Sequence, residues 1–345
     1  MKKFISLILC VILIIPITGC KDKYTKYTDY TFDYFDTVIS IIGYEKNEAD
    51  FKANSEKIKS KFSEYHKLYT IYSRYDDTQN IYSINNADKP LVVDGKITEM
   101  LEFSKKMYLL TNSKVNIALG SVLSIWHDYR NDGLNNPEKA ELPLMDELLK
   151  ANEHTDIDGL VVDGNNISLN DPEMSLDVGA IAKGYATEKT AQWMEKEGIT
   201  GYLLNAGGNI RAVGERPDGK KWKIGLENPD GDENDPYTEY LEISDMSVVT
   251  SGSNQRFYTV NGKNYHHIID PDTLMPATGY KMISVITESS AVGDALSTAL
   301  FCMDIEEGEK VLENFENTYV LWVKDNGEKI YSKGFKNFTP REEKQ

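Results

Sequence analysis

The chain has 345 residues, 40% of them hydrophobic, and its 38 basic and 55 acidic side chains give a formal net charge of −17. Such an excess of carboxylates repels nucleic-acid backbones and anionic lipid surfaces, so no nucleic-acid partner is expected. The length and apolar content suffice for a large core, and three cysteines are too few for a disulfide framework.

Residues 1–19 begin with Lys2 and Lys3, continue through an apolar run from Phe4 to Ile17 and end in small residues, the layout of an export signal. The run is shorter than the about 20 apolar residues a membrane-spanning helix needs. Ile17-Thr18-Gly19-Cys20 is similar to a bacterial lipobox, and processing there leaves Cys20 as the first residue, with a diacylglyceryl group on its sulfur. Two acyl chains anchor a folded domain stably, so the expected location is the extracytoplasmic face of the bacterial cell membrane. Loss of Lys2 and Lys3 would take the charge from −17 down by two, to −19. Cys10 leaves with the signal and Cys20 carries lipid, so Cys302 has no intramolecular partner. The polar, tyrosine-rich residues 20–32 read as a tether, and residues 33–340 read as one domain without an internal linker.

Within that domain, 38–44 predicts a strand, and 50–72 a helix with an apolar stripe at Phe51, Ile58, Phe62, Tyr65, Leu68 and Tyr69. Further helices are predicted over 98–110 and 119–129, then a polar loop over 131–143. Asp163-Gly164-Asn165-Asn166 splits 160–169 into a hairpin. A helix over 180–196 ends at Gly198, and a strand over 202–204 runs into Asn205-Ala206-Gly207-Gly208-Asn209. Strands are predicted over 222–226, 240–243, 247–250 and 283–287, and helices over 294–303 and 306–315. Asn261-Gly262 has the chemistry of a two-residue hairpin turn, because both positions need positive φ. Its second strand carries His266 and His267, whose side chains point to opposite faces. Hairpins and helices are interspersed without regular βαβ alternation, so the fold class is α+β, a single domain of antiparallel or mixed sheets.

Four segments combine small residues with polar groups. SLDVGAIAKGYA at 175–186 carries an acid into a small-residue turn and a helix start, which suits a phosphate or a capped helix packed on a sheet. The glycines of 205–209 allow either close approach of a flat ligand or a tight turn. The histidine strand is the third. In the fourth, AVGDALSTA at 291–299, Asp294 and Thr298 lie four apart on one helix face. They offer a carboxylate and a hydroxyl to an ion such as Mg²⁺, or an N-cap and a packed threonine. Zinc is not expected, because the adjacent histidines cannot converge and Cys302 is the one thiol away from the lipid site.

In this order, together with FDT at 35–37, YSRYDDTQNIYSIN at 72–85, KVNIALGSVLSIW at 114–126, NAGGNIRAVG, VVTSGSNQRFY and HHIIDP, these segments closely resemble the ApbE family of FAD:protein FMN transferases. The likeness spans about 32–338. It implies an enzyme that binds FAD and Mg²⁺ and attaches FMN through a phosphoester to a threonine of an exported or membrane redox protein, releasing AMP. By position, Asp177 and Lys183 would contact the flavin nucleotide, and Phe35, Tyr75, Lys114, Val115, Asn116, His267 and Ile269 would line the FAD cleft. The Ala180 carbonyl, Asp294 and Thr298 would hold the metal, with Ser297 a further candidate. His267 would accept the threonine proton, and His266 would face outward. The chain departs from the family's Met-Gly-Thr at Phe35-Asp36-Thr37, from its aspartate at Asn116 and, for some members, from a glutamate at Lys183. The same site leaves two other readings open, an FAD pyrophosphatase giving FMN and AMP and a non-catalytic FAD-binding lipoprotein.

Overall fold

The computed structural model describes residues 24–254 and 256–340. The export signal and Cys20 lie outside the described residues. The chain runs β1 (Thr25–Tyr34), β2 (Thr37–Glu45), α1 (Glu48–Tyr69), α2 (Ile81–Asn85), β3 (Leu91–Val92), α3 (Gly95–Leu110), α4 (Gly120–Asn135) and α5 (Met145–Asn152). It continues with β4 (Leu160–Asp163), β5 (Asn166–Leu169), α6 (Ala182–Lys196), β6 (Tyr202–Ala206), β7 (Asn209–Val213), β8 (Trp222–Glu227) and β9 (Tyr237–Ile243). The last elements are β10 (Ser247–Gly252), β11 (Phe257–Val260), β12 (Lys263–His266), β13 (Tyr280–Thr287), α7 (Ser290–Phe301), α8 (Ile305–Leu312), β14 (Tyr319–Lys324) and β15 (Lys329–Tyr331).

The scaffold is an eight-stranded sheet ordered β1-β2-β6-β7-β10-β13-β14-β15, antiparallel at every pairing. The α+β class therefore holds. One face of the sheet carries the main core, in which α1, α3, α6 and α7 bury Phe62, Met100, Met194 and Leu296 against Ile39, Leu204 and Val285. The other face is covered by the β8–β9 hairpin through Trp222, Ile224 and Leu241. A third apolar cluster joins α4 to the β11–β12 hairpin through Trp126, Tyr258 and Leu274.

Local chemistry explains most of these elements. Asn47 caps α1 by accepting from the Asp50 N–H at 3.0 Å, with acids in the first turn and His66 and Lys67 in the last, as the helix dipole favours. At the β11–β12 turn Asn261 and Gly262 both adopt positive φ, 51° and 79°, as that hairpin requires.

Three expectations change. The stretch read as a tether is, from Thr25 on, the edge strand β1, paired with β2 from Thr25↔Glu45 onward. Its inward Asp29 binds Ser55 and Lys59, both at 2.7 Å, so a polar residue occupies a core-facing position and blurs the alternation. The predicted loop from 131 instead continues α4 to Asn135, and within it Gly133 lets the Tyr258 ring pack against the helix, 2.6 Å from an added Cβ. Asp294 is no N-cap: Ser289 caps α7, and Asp294 lies in its second turn.

Candidate functional site

Two helices and a hairpin turn converge on Asp294. Its side chain is buried, and Oδ2 accepts the Gly184 N–H at 2.7 Å. In an uninterrupted helix that N–H would bond to the carbonyl four residues back, Ala180. Gly184 stands in the first turn of α6, however, where N–H groups have no acceptor within the helix, and Asp294 satisfies this one while Ala180 lies before the helix begins. The Asp294 Oδ1 has the Lys183 ammonium and the Asn209 amide nitrogen each at 3.3 Å. Asn209 is buried, and its own amide oxygen has no partner. Thr298 stands one turn further along α7, half-buried.

This donor set suits a small hard cation. It offers one carboxylate, a hydroxyl one turn along α7 and an orphaned amide oxygen, all oxygen, and Mg²⁺ characteristically takes few carboxylates and completes its shell with phosphate and water. Among the described residues no group of three or more His, Cys, Asp or Glu could hold a metal. Ser297 fits less well. It is fully buried, donates to the Asp294 carbonyl at 3.1 Å and meets Ser251 Oγ at 2.8 Å, so it ties α7 to β10.

Close approach of α6 and α7 depends on Gly184. A Cβ there would lie 2.4 Å from both the Asp294 Cβ and the Ser290 carbonyl oxygen. Gly184→Ala is expected to destabilise the fold by about 1–3 kcal/mol through overpacking. A denaturant midpoint equal to that of the parent chain would show that the two helices can separate at no cost.

Asp177 is also buried. Its Oδ1 accepts the Gly179 N–H at 2.8 Å, and Oδ2 lies 3.8 Å from His127 Nε2 on α4. The Tyr72 ring stands 6.3 Å from the His127 ring and is itself exposed. Burial is the main reason the His127 pKa is lowered, against the pull of Asp177. Residues 35–37 close one edge. Phe35 and Asp36 take positive φ, 56° and 50°, and the Arg256 guanidinium donates to the Asp36 carbonyl at 2.7 Å. An aspartate tolerates this left-handed geometry better than most side chains. His66 Nδ1 accepts the Phe35 N–H at 3.2 Å and fixes the bend.

The two adjacent histidines separate, but β12 ends at His266 and His267 lies just beyond the strand, and a second expectation also changes. His266 does not face outward: it is buried, accepts the Ile268 N–H at Nδ1 and donates from Nε2 to the Ala277 carbonyl at 2.8 Å. His267 is the exposed one, yet protein surrounds it, as for a side chain on the floor of an open cleft. That surrounding mass, then the charges of Arg256, Lys183 and Arg130 with His266 among them, lower its pKa below the ordinary 6.5.

The other candidates are placed as follows. Tyr75 is half-buried under the Lys67 ammonium, 5.5 Å from the ring centroid. The Lys114 ammonium binds Asp270 at 3.0 Å and Asp272 at 2.6 Å, clamping the end of α3 to the Asp270-Pro271 bend. Val115 is core, and Asn116 donates to the Thr155 carbonyl while accepting the Ala118 N–H. These three side chains serve the scaffold, so what they offer a ligand is backbone. Ile269 is buried and bridges to Pro276. Gly207 and Gly208 adopt positive φ, and a Cβ on Gly207 would strike Thr37 Oγ1 at 2.1 Å. The 205–209 glycines are thus required by the turn and by the packing of residue 37 on it. Sequence reasoning passed over Asn209, His127, Arg130 and Arg256. The readable signal was His127 and Arg130 at helical i,i+3 spacing just beyond Trp126.

The sequence model of the ApbE family matches residues 35–322. An FAD:protein FMN transferase of Vibrio cholerae serotype O1 is 29% identical over 294 residues, covering 84% of this chain and 86% of that protein. One of Treponema pallidum is 31% identical over 250 residues, 68% of this chain and 67% of that protein. The crystal structure of the ApbE protein of Thermotoga maritima superposes with a TM-score of 0.78 at 26% identity, covering 92% of this chain and all of that one. The flavin transferase ApbE of Vibrio cholerae gives a TM-score of 0.75 at 26% identity, with 92% and 99% covered. With a match over most of its length and the same fold throughout, the chain belongs to the ApbE family.

Proposed function

We propose that this protein is a Mg²⁺-dependent FAD:protein FMN transferase acting on a threonine hydroxyl of an exported or membrane redox protein. The observation that carries the reading is the Asp294 centre, where a buried carboxylate accepts the Gly184 N–H and stands beside Asn209, whose amide oxygen has no partner. The names borne by its relatives support the same reaction. The Ala180 carbonyl, Asp294 and Thr298 would hold the ion. When bound, Mg²⁺ supplies Lewis-acid polarisation of the pyrophosphate.

The chain's own residues do the rest. The threonine oxygen forms a bond to the phosphorus of the FMN half while the bridging P–O bond breaks, and AMP leaves with that oxygen. His267, exposed in the cleft and held neutral by its surroundings, takes the hydroxyl proton. Lys183 places a positive charge at the carboxylate, next to where phosphate charge must be balanced. Asp177 and the 35–37 edge bound the nucleotide. Anchoring through Cys20 at the extracytoplasmic face of the cell membrane belongs to the same proposal.

The test incubates purified protein with FAD, Mg²⁺ and an exported flavoprotein bearing a target threonine, reading in-gel flavin fluorescence and AMP release. Fluorescent target protein with stoichiometric AMP is expected. AMP without labelled target would make the protein an FAD pyrophosphatase, and neither product would make it an FAD-binding lipoprotein.

A further inference from the structure

Three of the described arginines in this acidic chain find carboxylates, and Arg74 is exposed to solvent. Arg211 binds Glu195 and Asp245, Arg216 binds Asp218, and Arg256 lies 3.5 Å from Asp36. Arg130 is different. It is half-buried on α4, yet among the described residues no hydrogen bond or ion pair reaches its guanidinium. It shares a helix face with His127, one turn earlier, and so points to the same side as the Asp177–His127 contact and the exposed Tyr72 ring. Arg256 approaches from the loop before β11 and Lys183 from the first turn of α6. Three cations from three elements thus border one cleft, and their combined field is felt at His267. Of the three only Arg130 lacks a counterion among the described residues, and a guanidinium left half-buried with five free donors is an open site for a phosphate oxyanion.

We propose that Arg130 binds a phosphate of the FAD pyrophosphate, a contact that holds the dinucleotide against α4 independently of the Asp294 centre. This rests on the flavin reading above. The guanidinium fork matches two phosphate oxygens, which a lysine at the same place satisfies as a point charge alone. His127 and Tyr72 form the wall beside it.

Equilibrium titrations in the presence of Mg²⁺, read by flavin fluorescence, test this with FAD and with riboflavin, which lacks phosphate. R130Q is expected to weaken FAD binding by about tenfold or more while leaving riboflavin affinity unchanged, with R130K intermediate. Unaltered FAD affinity in R130Q overturns the proposal. Equal losses for FAD and riboflavin overturn it as well, because they mark a structural role. Failure of the parent chain to bind FAD would bring down the flavin reading itself, a result distinct from a parent and a variant that bind FAD equally well.

Discussion

Asp294→Asn is expected to lower the rate of FMN transfer by about a hundredfold or more, with a parallel loss of apparent Mg²⁺ affinity. The substitution keeps the size of the side chain, and the amide oxygen can still accept the Gly184 N–H that now bonds at 2.7 Å. What it cannot keep is the charge. Oδ1 faces two donors, the Lys183 ammonium and the Asn209 amide nitrogen, and an amide NH₂ in its place opposes them. A cation held there would lose its one carboxylate, and the centre would become a cluster of competing donors. Asp294→Ala removes the acceptor for Gly184 as well and leaves a buried N–H unsatisfied, so it also destabilises the fold by about 1–3 kcal/mol. Transfer rates over a Mg²⁺ titration, with a thermal melt alongside, separate the two effects. An Asp294→Asn protein with the activity of the parent at limiting Mg²⁺ would refute the ligand assignment.

The same centre shows how far a sequence carries. Asp294 and Thr298 could be paired by helical spacing, and the hairpin at Asn261-Gly262 by its need for positive φ, because both are local properties. The strand β1 was hidden for a local reason too: its inward row includes Asp29, which is satisfied by Ser55 and Lys59 from α1. The contributions of Gly184 and Asn209 were not legible. They exist only because α6 and the β6–β7 turn are brought against α7, more than 80 residues away in the chain. For His266 the pattern specified that the two histidines diverge, but not that the far side is core. That followed once Phe301 and Ala277 packed around the ring, 5.6 Å from the first and hydrogen-bonded to the second. Lys114 illustrates the converse. A lysine at a family-like position was readable, whereas its engagement with Asp270 and Asp272 depends on a bend 156 residues downstream.

His267→Ala is expected to slow transfer by about a hundredfold to ten-thousandfold, the range for loss of a positioned general base, while the FAD dissociation constant changes by no more than about threefold. The pH profile adds a readout that a merely structural histidine would not move. An imidazole works as a base only when neutral, and the surrounding protein first, then the cations Arg256, Lys183 and Arg130, disfavour its protonated form. The lowered pKa places the acid limb of kcat/KM below pH 6.5, so activity holds as pH falls from 8 to 6.5 and declines only beneath that. Removing Arg130 removes one of those charges and shifts the limb upward, toward the ordinary histidine value. In His267→Ala the limb disappears from the residual rate. A variant that binds FAD far more weakly but turns over bound FAD at the parental rate would make His267 a binding residue, and the threonine proton would then have to leave by way of solvent.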